Sequence, residues 1–355
     1  MLGYQPDKRY RPTAVIRLSR LQKMENAPMR CLILVLFVGS LTPISAIAQI
    51  LLVSELSVRD IERLDRDQTV VILPGGNFEE HGPYLPSFTD GYLNEWLADR
   101  TAEAIIAERG GTVLKFPTIP LGVGSPENFG GLSPFSGSYT VRPETLRAVY
   151  MDLASALGED GFRAIFVLAR HGSPSHNLAL LEAADYFNDR FDGTMVVLTS
   201  LIYEEGIEVP SYLTDDQQQE NGVDIHAGEL ETSQTLFLQP SLVHDDYRTA
   251  VPITASSADE LTELAERPNW PGYFGSPRLA TPNAGAQIVE YRTRQTIELA
   301  LRILDGFDWR SLPTRADRSG MNSAFRTTDE NNLARAEEER RRQEDWLESD
   351  RRRVR

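Results

Sequence analysis

Cysteine is almost missing from this chain of 355 residues, and the one that occurs, Cys31, lies in the N-terminal segment. That excludes a disulfide framework and a thiolate zinc site, and the folded part has no thiol nucleophile. Lysine is nearly as scarce, with Lys8, Lys23 and Lys115 alone, so almost all positive charge is arginine. Carboxylates outnumber the cations to give a formal charge of −16. A general nucleic-acid binder needs a basic surface, so small molecules are the expected partners. Nor does the chain hold an apolar run of the roughly twenty residues that cross a bilayer comfortably. What is present is a hydrophobic content of 41%, enough for one large α/β domain or two small ones.

The N-terminus reads as a secretory signal peptide. From Met29 to Gln49 come Arg30, an apolar core of about ten residues, and Ala46-Ile47-Ala48 as an A-x-A cleavage site. An uncleaved anchor is the alternative. The polar residues 1–28 make a long lead-in, which leaves Met24 or Met29 as alternative starts. A mature chain from Gln49 would carry no cysteine, and export to a periplasm or beyond is the expectation. The expected domains are therefore 1–48, a signal peptide with its extension, 49–312, a catalytic domain, and 313–355, a charged tail.

The stretch 71–90, V-I-L-P-G-G-N-F-E-E-H-G-P-Y-L-P-S-F-T-D, organises the rest. An apolar run from Val70 to Leu73 stops at Pro74, Gly75 and Gly76, as a buried strand ends in a turn. Glu79, His81 and Asp90 follow within a segment stiffened by Pro83 and Pro86. Carboxylate oxygen with imidazole nitrogen suits zinc, manganese or iron. Asp90 could instead merely cap a helix at 91.

Strands and helices then alternate. A short helix at 57–64 precedes the strand at 69–73, and a helix after Asp90 ends at Gly110-Gly111 before a strand at 112–116. The Gly, Pro and Ser-rich region 117–140 has no period and is expected to wall a pocket. A helix at 143–160, a strand at 163–169, a helix at 177–188 and a strand at 195–198 follow. Residues 204–224 read as a solvated acidic excursion, a helix begins near Ala227, and a last one spans 284–304. Residues 332–355 read as a charged helix or a disordered tail, outside the site. Such alternation implies a mostly parallel sheet covered on both faces, with ligands at the carboxyl ends of its strands. Glu79 and His171 both sit just past such ends. There are five histidines, His81, His171, His176, His226 and His244. Each alone is more often a surface or hydrogen-bonded residue, and His176 by itself reads as a helix-start residue. Glu229 and Glu231 have the bland reading of first-turn carboxylates favoured by the helix dipole.

Three stretches, L-P-G-G-N-F-E-E-H-G-P-Y-L-P-S-F-T-D, H-A-G-E-L-E-T-S and G-S-P-R-L-A-T-P-N-A-G, in that order over residues 52–305, resemble the creatininase (creatinine amidohydrolase) family. Residues 161–172, G-F-R-A-I-F-V-L-A-R-H-G, resemble the family's strand leading into N-G-H-G-G-N. The resemblance implies a three-layer α/β/α sandwich and a hydrolase cleaving C–N bonds of small or cyclic amides with two divalent ions, often as a hexamer. It implies Glu79, Asp90 and His171 on one ion, with His81 and the bridging Asp90 on the second. His226 would be the general acid/base, because imidazole titrates near working pH. Glu231 would be a further ligand or would orient one. Zinc is the expected metal, with manganese or iron as alternatives.

One place departs from the pattern. After the strand this chain reads A-R-H-G-S-P-S-H-N, longer than the family motif, and the second-metal glutamate of creatininase proper has no counterpart there. Glu231 or His176 is left to fill that position. No tryptophan lies between His171 and His226, where creatininase proper uses tryptophan to cover its substrate. A small lactam, formamide or other amide is therefore expected in place of creatinine. The competing reading is a non-catalytic binding protein on the same fold.

Overall fold

A computed structural model describes residues 48–124, 135–202, 212–315 and 323–353. Residues 1–47, with Cys31 and most of the segment read as a signal peptide, lie outside these, as do 125–134 of the expected wall and 203–211 of the acidic excursion. No helix among the described residues is long and apolar enough to cross a membrane.

The sheet is built from β1 (Gln49–Leu52), β2 (Thr69–Pro74), β3 (Thr112–Lys115), β4 (Ala164–Leu168) and β5 (Thr194–Val197), in the order β1-β3-β2-β4-β5. Every neighbouring pair is parallel. All of β2 is buried, which is why its sequence is a continuous apolar run with no polar alternation. Its side chains still alternate in direction. Val71 and Leu73 pack into one core, while Val70 and Ile72 pack into the other. Burying each such side chain contributes about 2 kcal/mol.

The first core is closed by α3 (Pro143–Glu159) and α4 (Pro174–Arg190), through Leu146, Tyr150, Ala154, Leu180, Ala183 and Phe187. The second is closed by α2 (Thr89–Arg109) and α9 (Pro282–Leu304), through Leu93, Leu97, Ile105, Val289, Leu299 and Ala300. The expected α/β/α sandwich is thus present. Between these elements lie α1 (Val58–Glu62), α5 (Leu198–Leu201), α6 (Asp215–Asn221), α7 (Glu229–Leu238) and α8 (Ala258–Ala265). The capping serine expected for the first helix is Ser57, in a reciprocal capping box with Asp60.

Three boundaries differ from expectation for local reasons. β1 was not expected, because its four residues follow directly on the apolar segment and carry no period of their own. Helix α4 begins at Pro174, before the anticipated 177, since Ser173 caps it and proline fits the first helical position. Helix α7 begins at Glu229, after Ala227, because Ala227 takes a left-handed φ of 51°. The charged tail forms α10 (Ser323–Arg353), which packs on α4 and α8 within the same compact unit as the sheet. Its neighbourhood reaches the loop after His171, whereas its composition had set it outside the site.

Candidate metal centre

The ends of β2 and β4 meet closely. A side chain at Gly75 would put its Cβ only 2.4 Å from that of Ala169, so glycine is required where the two strands deliver their loops. Gly75 donates its N–H to Leu168 and Gly76 to Ile119, each at 2.8 Å. The chain after β2 then turns inward, leaving Asn77, Glu79, Glu80 and His81 all buried.

His171 follows β4 and is held at both ring nitrogens. Its Nε2 donates to the carbonyl of Val123 at 3.0 Å, which leaves Nδ1 facing Glu79 Oε2 at 3.0 Å and Asp90 Oδ2 at 2.9 Å. A histidine fixed by a carbonyl on one nitrogen presents the other as a ligand. Asp90 lies in the first turn of α2, whose N-cap position is taken by Phe88, so the carboxylate is aimed at His171 and does not cap the helix. Asn177 donates from the first turn of α4 to the carbonyl of His171 at 2.9 Å. The described parts of 117–140 do wall the site: besides Val123, Ser138 accepts the Glu80 N–H at 3.0 Å.

His81 repeats the arrangement. Its Nδ1 donates to the carbonyl of Glu79 at 3.0 Å, and its Nε2 is buried without a hydrogen-bond partner, 3.6 Å from Glu231 Oε2. Glu231 reaches this point from α7, where the same oxygen also accepts the Ala227 N–H at 2.6 Å. The ring of His226 lies 4.5 Å from that of His81, with Nδ1 3.9 Å from both Glu79 Oε1 and Glu231 Oε2. Its Nε2 faces Glu80 Oε1 at 3.5 Å, and both of those atoms are buried without a well-formed hydrogen bond.

Three sets of side chains have ligand atoms that all lie within 4.8 Å of one another: Glu79, Asp90 and His171; His81, Asp90 and Glu231; and Glu79, His81 and His226. All six residues named from the sequence are thereby brought together. Glu79, His81 and Asp90 each belong to two sets. Buried carboxylates and imidazoles with unpaired atoms aimed at a shared space form a donor set for divalent cations.

The charges within the cluster are strongly shifted. Burial by itself would raise the Asp90 carboxyl, but the hydrogen bond and charge of His171, with His81 and His226 nearby, hold it well below the usual range. Burial opposes charge on His171, yet the Glu79 charge and the hydrogen bonds to Asp90 and Glu79 lift it well above its ordinary value. For His226, burial is again outweighed, by Glu80 first and then Glu79 and Glu231, and the imidazole is pushed up to about 10. Protons on these rings occupy the role that cations can take.

His176 lies apart from all three sets. Its Nδ1 accepts the Val123 N–H at 3.3 Å and its Nε2 donates to the carbonyl of Ala169 at 3.3 Å, so both nitrogens tie backbone segments together. Burial, reinforced by the charge of His171, pushes it down to about 3 and keeps it neutral. Glu229 turns away from the cluster to accept from Ser233 Oγ at 2.7 Å. An open groove of about 520 Å³ along α2 and α9, walled by Trp96, Ile297 and Leu301 among others, contains none of the cluster.

Sequence reasoning missed two buried residues. Glu80 stands inside E-E-H and could have been noticed as the second carboxylate beside a histidine. Asn77 gave no signal, although it is fully buried and its side-chain amide lies 3.4 Å from both Glu79 Oε2 and the Gly124 carbonyl.

Comparison with known proteins gives one consistent picture. The family described as creatinine amidohydrolase matches residues 54–300. A creatinine amidohydrolase of Pseudomonas putida is 27% identical over 248 residues, spanning 67% of this chain and 91% of that protein. Among solved structures, the fold is similar to that of a manganese creatininase, with a TM-score of 0.52 at 22% identity over 73% of this chain and 99% of the other. It is likewise similar to a variant creatininase of Zn-Zn type, with a TM-score of 0.53 at 23% identity over 72% and 98% of the two chains. A further variant creatininase, complexed with creatine, gives 0.52 at 23% identity over 70% and 96%.

Proposed function

The chain belongs to the creatininase family, hydrolases of non-peptide C–N bonds, and on that premise we propose that it cleaves a small amide, cyclic or formyl, at a two-metal centre. The observation that carries this reading is His171. Its Nε2 is spent on a backbone carbonyl, and its Nδ1 is aimed between the buried Glu79 and the partly buried Asp90 carboxylates. That donor set fits a divalent cation, and the similar solved structures include manganese and Zn-Zn creatininases. Glu79, Asp90 and His171 would hold one ion; His81, Asp90 and Glu231 would hold the other, with Asp90 between them. Glu231 takes the place left without a counterpart after His171, while His176 is committed to the backbone.

Bound there, such ions would supply an activated water and a polarised amide carbonyl. The residues around them supply the proton chemistry. When the water oxygen bonds to the carbonyl carbon and the C–N bond breaks, the leaving nitrogen needs a proton. We assign that proton to His226, a role supported by the Glu80, Glu79 and Glu231 carboxylates that surround its ring and sustain its charge. His81 and His171 are held by backbone carbonyls at their second nitrogens, so neither ring is free to turn out of the site.

The test is metal analysis of the purified protein with a panel of lactams, cyclic ureides and formamides, read by acid or amine release. About two ions per chain and metal-dependent turnover are expected. Absence of bound divalent metal after supplementation would sink the reading. Metal binding without turnover of any amide would favour the competing one, a binding protein on this fold, which the altered loop after His171 motivates.

The apolar segment before Ala46-Ile47-Ala48 supports export, with the mature chain starting at Gln49. N-terminal sequencing of the protein recovered from its native host tests this, and an intact Met1, Met24 or Met29 start would refute it. Assembly into a homo-oligomer, a hexamer by family resemblance, is tested by light scattering.

A further inference from the structure

The family match ends at residue 300, whereas α10 and the segment leading to it lie beyond that point and touch the one loop that departs from the family pattern. Arg315 Nε donates to the carbonyl of Gly172 at 3.4 Å, and its backbone N–H donates to Ser200 Oγ at 3.3 Å. Asp329 accepts the Ser175 N–H at 2.9 Å and also the Ser175 hydroxyl. Asn332 is buried against Gly124, where an added Cβ would lie 2.7 Å from both its Nδ2 and Ser173 Oγ.

Of these contacts, the one from Asp329 falls on the first turn of α4, and that turn holds His171. Ser175 meets Asp329, His176 ties Val123 to Ala169, and Asn177 binds the carbonyl of His171. Val123 in turn accepts from His171 Nε2. The Ser175 N–H is one of those at a helix start that have no partner within the helix, and a carboxylate there is favoured by the helix dipole. One carboxylate from the tail therefore fixes a turn from which one tie runs to the His171 carbonyl and two more run to Val123, which accepts from His171 Nε2, and to Ala169.

We propose that Asp329 is a positioning residue of the metal centre: by fixing the first turn of α4, it keeps His171 Nδ1 directed between Glu79 and Asp90 and so sets the affinity for divalent cation. This rests on the reading that Glu79, Asp90 and His171 hold an ion. It gives the charged tail a function that the sequence alone did not suggest, without placing any tail atom on the substrate.

The test uses the full chain freed of metal by chelation, titrated with Mn²⁺ and followed by calorimetry and electron paramagnetic resonance. Asp329→Ala is expected to weaken Mn²⁺ binding about tenfold, the scale seen when a residue supporting a ligand is lost. Asp329→Asn keeps an oxygen that accepts both hydrogen bonds and is expected to stay near the parent affinity. Asp345→Ala, on the exposed part of α10, is expected to change nothing. Parent affinity in Asp329→Ala, or equal weakening in Asp329→Asn, would overturn the proposal. If Asp329→Ala does not fold, Ser175→Ala deletes only the hydroxyl donor and should still weaken binding severalfold; unchanged affinity there would overturn it as well. A parent protein that binds no Mn²⁺ would refute the metal reading itself, an outcome distinct from all of these.

Discussion

His171 Nδ1 and Asp90 Oδ2 stand 2.9 Å apart although 81 positions separate them in the chain, one just past β4 and the other in the first turn of α2. Each shifts the other: the carboxyl is held low, and the imidazole is held high despite burial. The pair is the point at which the two halves of the cluster meet.

Asp90 belongs to both proposed metal sites, so Asp90→Asn is expected to lose most of both ions. Turnover should fall by at least about a hundredfold, as expected when metal-activated water is lost. Metal content by plasma emission together with the rate decides it. Retention of both ions would remove Asp90 from the bridging role.

His226 separates two arrangements, because it is either the proton donor or, with Glu79 and His81, a ligand. As proton donor, His226→Ala lowers kcat by about 10² to 10⁴ with metal content unchanged. A parallel drop in metal content would assign it to the ligands.

His176→Ala is expected to keep both ions while destabilising the fold by about 1–3 kcal/mol, since the Val123 N–H and the Ala169 carbonyl lose their buried partner. Urea denaturation of the metal-free variant measures this. Loss of an ion without loss of stability would contradict the role assigned here.

The metal-free protein should lose stability as pH rises above neutral, and the signs of two histidines require it. His171 and His226 have folded values raised above the ordinary 6.5, so their contribution is complete below 6.5 and is lost as pH rises, for His226 through about 10. His176 has its folded value lowered to about 3, which costs stability as pH falls from 6.5 toward 3. Asp224, raised by burial to about 7, adds stability as pH falls from 7 toward 3.8, so the two offset on the acid side. Thermal melts of chelated protein from pH 4 to 10 are expected to trace a curve that falls on the alkaline side. Added divalent metal should flatten its alkaline side, because cations replace the protons; a melt that is flat without metal would refute the assignment.

Ala227 is buried with a left-handed φ of 51°, the bend that turns His226 inward and starts α7. Ala227→Gly should be at least as stable as the parent, whereas Ala227→Val should lose about 2 kcal/mol to backbone strain. Chemical denaturation of the two variants checks the direction.

Much of the fold is legible in the sequence because it rests on local patterns. The uninterrupted apolar runs of β2 and β4 announce strands covered on both faces, and Gly110 beyond the last turn of α2 marks its end. The candidate site was less legible: Glu79, His81 and Asp90 stand out as ligand types after a strand end, whereas the grouping with His171, His226 and Glu231 came from family resemblance, and the structure brings their ligand atoms together. Local pattern misled where a neighbour decided the matter. β1 forms only because β3 offers it a parallel edge, and α4 starts early because Ser173 caps it.

By itself, then, the sequence determined the alternation of strands and helices and the chemical types of the ligands, since periodicity, turn residues and titratable side chains are properties of short segments. Only the tertiary structure decided which of those side chains lie together, which nitrogen of His81 and of His171 is spent on the backbone, that His176 is a tie and that Glu80 faces His226, and that Asp329 reaches Ser175 from the tail. Those facts depend on distances between segments tens to hundreds of residues apart. Such distances are set by packing helices on both faces of one sheet, which no local pattern encodes.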